Sequence, residues 1–266
     1  GTVRTEDKAA QLRGQGVDAQ VFDRDHPLPD PARVLAGTTH LLVSVPPDGQ
    51  GAGDAALDHH ADDIARLADS LQWAGYLSTT GVYGNRDGGW VDEASELRPT
   101  SERSARRVKA ETAWRRLHDD HGVPMHTFRL AGIYGPGRGP FRAIREGTAK
   151  RIDLPEQKFG RIHVDDICQV LEASIVRPRP GAIYNVSDDE PAAPADVTAF
   201  ACDLLGVDPP PLVPWEEAEM SAMAMTFWQD NKRVDNRRVH DELGVQFRYP
   251  TYREGLRAVL DVEQSG

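Results

Sequence analysis

Apolar and β-branched residues come in short runs separated by helical stretches, and the alternation is regular over the first half of the chain. Runs at 1–5, 17–23 and 39–46 are separated by a helical pattern at 8–13 and a short helix. A long helical pattern at 54–73, a strand at 75–79, a helix at 101–121 and a strand at 124–130 follow. Strands separated by helices pair in parallel through right-handed crossovers, so the pattern predicts an α/β fold with a doubly wound parallel sheet. After Tyr134 the rhythm loosens. A helix near Arg142, a strand at 160–164, a helix at 165–175, a strand at 182–186 and three later helices are expected there, with Pro209, Pro210, Pro211 and Pro214 breaking the pattern. The predicted division is a sheet domain over 1–133 and a smaller mixed α/β lobe over 134–266, some of whose segments return to the sheet.

The 266 residues suffice for such a domain and lobe. A net charge of −11 excludes a phosphate-backbone binder, which needs clustered Lys and Arg; the basic group Arg103, Arg106 and Arg107 is only local. The two cysteines, Cys168 and Cys202, fall in amphipathic helical patterns and read as buried small apolar residues in a reducing compartment. No apolar run approaches the roughly 20 residues of a membrane span, and the start carries no signal-peptide pattern. A cytoplasmic protein with a small-molecule substrate, and without nucleic-acid or membrane partners, is expected. The chain opens on Gly1 in mid-strand, which reads as a fragment.

Hydroxyl residues end the strand of Tyr76-Leu77-Ser78-Thr79-Thr80-Gly81-Val82-Tyr83-Gly84, at the edge where open α/β sheets bind ligands. The same hydroxyls also suit caps and turns. Further along stand Arg129-Leu130-Ala131-Gly132-Ile133-Tyr134-Gly135-Pro136-Gly137, then Arg161-Ile162-His163-Val164-Asp165-Asp166, then Tyr184-Asn185-Val186-Ser187-Asp188. In this order and at these separations they resemble the extended short-chain dehydrogenase/reductases, the nucleotide-sugar epimerases and dehydratases. Asn231-Lys232-Arg233-Val234-Asp235-Asn236 and the run from Tyr249 to Leu256 resemble the atypical NADP-binding branch.

The resemblance implies a Rossmann-type sheet whose first strand and glycine-rich loop are absent upstream of Gly1, followed by a substrate lobe. It implies NADP, or NAD, as cofactor. The activity it implies is that of an oxidoreductase or epimerase on a polar, sugar- or nucleotide-linked substrate. Thr79 takes the place of the hydroxyl that holds the substrate oxygen, with Ser78 and Thr80 beside it. Lys109, before Ala110-Glu111, takes the place of the ribose-binding lysine, which puts Ala105 where the family has its tyrosine. A methyl group cannot shuttle a proton, and neither can an arginine at neutral pH, so that task falls to Tyr83 or Tyr134. Lys109 also fits the solvated face of a basic helix. Arg4 is placed at the 2′-phosphate of NADP, or on the surface near the chain start. Asp23 is placed at the adenine, Ser44, Val45 and Pro46 at the pyrophosphate and ribose, and Ala131 and Tyr134 at the cofactor. A homodimer through the helix at 101–121 is the family's habit. Loss of the tyrosine supports a rival reading, a catalytically silent NADP-binding sensor or scaffold. Without its central strand, the chain as written is expected to be destabilised and to bind cofactor poorly.

Three patterns read as structure. Gly14-Gln15-Gly16-Val17-Asp18-Ala19 matches a phosphate loop by letter, but it follows a helix and enters a strand, the reverse of what the helix N-terminus requires. It reads as a C-cap and turn. His59 and His60, beside Asp62 and Asp63, point about 100° apart on a helix, so no metal site is expected. Asp165, after His163, fits a helix N-cap. Phe227 and Trp228, before Lys232 and Arg233, form either a substrate wall with cationic ends for an anionic ligand or plain packing of the lobe.

Overall fold

The computed structural model describes residues 1–51, 53–220, 225 and 228–265; Phe227 lies outside the described residues. The first half runs β1 (Thr2–Val3), α1 (Glu6–Arg13), β2 (Gln20–Val21), α2 (Pro31–Val34), β3 (His40–Val43), α3 (Ala55–Ala65), β4 (Trp73–Thr79), β5 (Trp90–Val91), α4 (Glu102–His121) and β6 (Met125–Leu130). The second half runs β7 (Gly132–Tyr134), α5 (Pro140–Arg145), β8 (Arg151–Asp153), β9 (Arg161–His163), α6 (Val164–Val176), β10 (Ile183–Val186), α7 (Pro194–Leu205), β11 (Leu212–Pro214), β12 (Arg233–Val234), α8 (Arg237–Leu243) and α9 (Tyr252–Ser265).

The main sheet is parallel, in the order β10-β6-β4-β3. Alternation along β4 explains its two packed faces. Ala74 and Tyr76 join Leu57 and Ile64 of α3 and Ala110, Trp114 and Leu117 of α4 on one side. Trp73 and Leu77 face the other side, with Ile167 and Val170 of α6 and Val239 and Leu243 of α8. Helices therefore cover both faces, as a doubly wound sheet requires, and each large side chain buried here contributes about 1.5–3 kcal/mol. Gly75 is required by this packing, since a Cβ there would strike the Trp73 indole. Among the described residues β1 pairs with β2 alone and β3 with β4 alone, in two separate parallel sheets.

Several boundaries differ from the sequence expectation. The helix read over 54–73 ends at Ala65, because Leu71 and Trp73 are needed in opposite layers: Leu71 joins the α3–α4 side, and Trp73 begins β4 and donates from its indole to Ser174 on α6 at 3.0 Å. Gly14 ends α1 and Gly16 takes a φ of 84° in the turn into β2. The cap of α6 is His163 rather than Asp165: its Nδ1 accepts the Asp165 backbone N–H at 3.2 Å. Cys202 is buried, but Cys168 is exposed, since it lies on the outer face of α6. Three short parallel pairs form, β7 with β9, β8 with β11 and β5 with β12; of their strands only β9 falls on an expected run, that at 160–164.

Candidate active site

The carboxyl ends of β4 and β6 open into a cavity of about 700 Å³, closed on the far side by the segments around β9, α7, α9 and residues 230–234. Thr79 ends β4, and its Oγ1 accepts the Gly81 N–H at 3.1 Å, capping the 3-10 turn of Thr80–Tyr83. Gly84 completes that turn at φ 66°, where a Cβ would strike the Arg98 carbonyl, so only glycine fits. Ser104 Oγ lies against Gly81 from the first turn of α4, whose cap Ser101 accepts the Ser104 N–H at 3.2 Å. Strand end, 3-10 turn and helix start thus form one wall.

Of the expected site residues, Ser44, Ser78, Thr79, Thr80, Ala131 and Tyr134 line this cavity. Ser78 is buried and donates to Glu111, so its hydroxyl belongs to the wall. Tyr83 is elsewhere. It is fully buried, donates to Asn185 Oδ1 at 2.6 Å and accepts from Arg129 Nη1 at 2.9 Å. Burial pushes its phenol up to about 12, so the expected proton role is corrected to a structural one. The Tyr134 hydroxyl is buried without a hydrogen-bond partner, and burial pushes it up further.

Lys109 also falls outside. It is exposed and donates to the Gly51 carbonyl at 3.4 Å. Arg103 and Arg107 line the cavity instead, and Arg107 donates to the Leu77 carbonyl at 2.8 Å and the Tyr76 hydroxyl at 3.1 Å. The reason is helical: residues 103 and 107 are one turn apart, whereas 109 is about 200° round the helix from 107. Nor do Arg4, Asp23, Val45 and Pro46 line the cavity. Arg4 is exposed after β1 and Pro46 is exposed beyond β3. Asp23 is engaged by its own turn, through His26 Nδ1 at 2.8 Å and the backbone N–H groups of Asp25 and His26. Val45 packs against Phe22, Leu28 and Ala55.

The residues that single-strand reading missed are cations. Arg103, Arg107, Arg138, Lys158, Arg161 and Lys232 line the cavity against one carboxylate, Asp230, in a chain of net charge −11. Arg161 arrives because β9 pairs with β7, and Lys232 because β12 pairs with β5. Arg161 donates to the carbonyls of Phe159 and Ala192 at 2.8 and 3.2 Å, which fixes its guanidinium, and buried Asp188 is its main counter-charge. Of the proposed wall, Trp228 stacks edge-on against Phe159 at 5.3 Å. Beyond the cavity, His60 accepts the Leu28 N–H at 3.1 Å and pairs with Asp63, and no group of metal-ligating side chains occurs among the described residues. No helix of the described residues is long and apolar enough to cross a membrane.

No family model matches the chain. It is 27% identical to Protein YeeZ of Escherichia coli (strain K12) over 259 residues, 94% of this chain and 87% of that protein. It is 25% identical to dTDP-glucose 4,6-dehydratase of Xanthomonas campestris pv. campestris (strain B100) over 201 residues, 70% of this chain and 56% of that enzyme. Among solved structures, a functionally unknown conserved protein from Silicibacter pomeroyi DSS superposes with a TM-score of 0.89 at 47% identity, over 98% of this chain and 89% of that one. UDP-glucuronic acid 4-epimerase from Bacillus cereus, in complex with NAD, superposes at 0.71 and 16% identity over 97% and 85%, a likeness of fold. Sequence likeness to a sugar-nucleotide dehydratase and the shared Rossmann architecture agree with the strand-end hydroxyls at the cavity, and the chain is thus similar to NAD-dependent epimerase/dehydratase members of the short-chain dehydrogenase/reductases.

Proposed function

We propose that this protein is an NADP- or NAD-binding oxidoreductase or epimerase-like enzyme that acts on a polar, anionic substrate of the sugar- or nucleotide-linked class. The observation that carries the reading is Thr79 at the carboxyl edge of a parallel sheet, opening on a cavity lined by six cations and one carboxylate. Thr79 can donate to a carbonyl oxygen or accept from a hydroxyl without changing charge. The cations suit phosphate or carboxylate groups, which arginine holds bidentately.

The donors present on the sheet side fit the nicotinamide end of a dinucleotide: the hydroxyls of Ser44 and Thr79 and the guanidinium of Arg107 can hold a ribose and an amide. When bound, such a cofactor supplies hydride chemistry. Preference for NADP rests on Arg4 at the exit of β1, the place of the 2′-phosphate contact in this fold. Calorimetric titration of NADPH and NADH into the full-length protein, followed by a panel of UDP- and dTDP-sugars, tests the proposal. Binding with NADPH the tighter, and turnover that Thr79→Val lowers while sparing cofactor affinity, is the expected result. Failure of both dinucleotides to bind refutes it.

One observation favours a second reading, a silent NADP-binding sensor or scaffold: among the described residues no tyrosine with an accessible proton reaches the cavity, because Tyr83 is buried outside it and burial holds Tyr134 and Tyr252 protonated. A sensor binds NADPH and oxidises it against no member of the panel.

A further inference from the structure

An alcohol–carbonyl interconversion needs a group that takes and returns a proton, and the cavity offers few. Its arginines stay charged. Tyr134 and Tyr252 are held protonated by burial. Lys158 donates to the Pro155 carbonyl at 2.8 Å on the exposed side. Lys232 differs from all of these. It lines the cavity with its side chain only 11% exposed, and among the described residues its ammonium makes one hydrogen bond, to Asp230 Oδ2 at 3.4 Å.

The position of that pair is fixed. Asp230 Oδ1 accepts from Thr100 Oγ1 at 2.6 Å, and Thr100 directly precedes Ser101, the cap of α4. The same helix turn carries Ser104, whose Oγ lies against Gly81, and Gly81 N–H is held by Thr79. Lys232 is thereby tethered to the wall that presents Thr79. The charges that act on the amine are Asp230 on its own segment and Arg86 from the turn after Gly84; Arg103, Lys158 and Arg161 line the same cavity. Burial drives the amine toward its neutral form, Asp230 opposes this and Arg86 adds to it, and the outcome lies below the ordinary lysine range. A desolvated lysine among cations is an activated base.

We propose that Lys232 is the acid–base residue of this cavity. The proposal rests on the oxidoreductase reading given above. In the step assigned to it, the substrate hydroxyl O–H bond breaks, the electron pair stays on oxygen, and the proton bonds to the Nζ lone pair, leaving an alkoxide beside an ammonium. Reversal returns the proton. Asp230 positions the amine and balances the ammonium.

Two measurements on the intact protein test this. Pulse acetylation at a series of pH values, read by peptide mass spectrometry, gives the titration of each amine, with exposed Lys8 as the reference. Lys232 is expected to reach half-reactivity at a lower pH than Lys8; half-reactivity at or above that of Lys8 overturns the proposal. Turnover of UDP-glucose, UDP-glucuronate and dTDP-glucose with NADP or NAD is then followed against pH. Alcohol oxidation should rise with pH through the Lys232 titration, and Lys232→Gln should remove that limb and lower turnover about 100-fold or more, with NADPH affinity unchanged. Wild-type turnover that Lys232→Gln retains with the same limb overturns this proposal alone. Absence of wild-type turnover on every sugar overturns the oxidoreductase reading and this proposal with it.

Discussion

Arg129 on β6 and Glu111 on α4 form a buried ion pair, Nη2 to Oε2 at 2.8 Å, with side chains 4% and 7% exposed. Glu111 also accepts from Ser78, and Arg129 also donates to Tyr83, which donates to Asn185 on β10. One polar network therefore ties α4 to the carboxyl ends of β4, β6 and β10, immediately behind Thr79. Removing one partner leaves a buried charge without its counter-ion, at a cost of about 3–5 kcal/mol. Glu111→Ala is expected to lower the melting temperature by about 2–4 °C per kcal/mol lost. Calorimetric scans of the two proteins check this, and an unchanged transition would mean that Arg129 is satisfied by other groups.

Tyr83 and Thr79 are four residues apart and should respond in opposite ways. Tyr83→Phe leaves Asn185 Oδ1 and Arg129 Nη1 short of a partner inside the protein, at about 1–3 kcal/mol. Its pH–rate profile should stay that of the wild type, because its ring does not line the cavity. Thr79→Val removes the cap on Gly81 N–H, worth about 0.5–2 kcal/mol by analogy with helix caps, but its larger effect should be on turnover. Urea unfolding together with steady-state kinetics separates the two. A Tyr83→Phe variant with a shifted pH–rate profile would return Tyr83 to the chemistry.

Much of this was legible in the chain, and what was hidden is non-local. The strands β3, β4, β6 and β10 and their parallel pairing follow from alternating runs because each strand carries its own apolar pattern. Thr79 stands out because a strand end is a local feature. Arg107 was displaced by Lys109, since three adjacent letters outweighed helical geometry; the faces of α4 cannot be told apart by a hydrophobic stripe when Arg, Lys and Glu occur all round it. Arg161 and Lys232 reach the cavity through the two- and three-residue pairs of β9 with β7 and β12 with β5. Pairs that short carry no periodicity, and their register is set by the rest of the fold.

His126 should make stability depend on pH. Its ring is fully buried, with Nε2 accepting the Arg179 N–H at 2.8 Å and Nδ1 donating to the Ala74 carbonyl at 3.1 Å. Accepting at Nε2 requires the neutral ring, and burial lowers its pKa from the ordinary 6.5. A depressed value means that the unfolded chain binds the proton more readily. The stabilisation is therefore complete above the unfolded-state value and is lost as pH falls through the folded one. Between about pH 7 and pH 5, the unfolding free energy should fall with a slope that His126→Gln reduces, since the amide does not titrate. Equal slopes in urea titrations would assign the acid sensitivity to another group.

Tyr134 carries a hydroxyl that is buried and unpaired, and its ring lies where a Cβ on Gly255 of α9 would strike it. A polar atom that has left water without gaining a partner costs about 1–3 kcal/mol. Tyr134→Phe, which keeps the ring against α9 and the edge contact with His163 at 5.2 Å, is thus expected to leave stability unchanged or raise it by about 1 kcal/mol. Gly255→Ala should do the opposite. The ring has no room to retreat, because Phe141, Tyr252 and Leu256 pack in the same cluster, so the new methyl must displace it or the helix, at about 1–3 kcal/mol. Denaturant midpoints for the two variants and the wild type decide the matter. A loss on Tyr134→Phe would show that the hydroxyl is hydrogen-bonded in solution, and a neutral Gly255→Ala would show that α9 can shift away from β7.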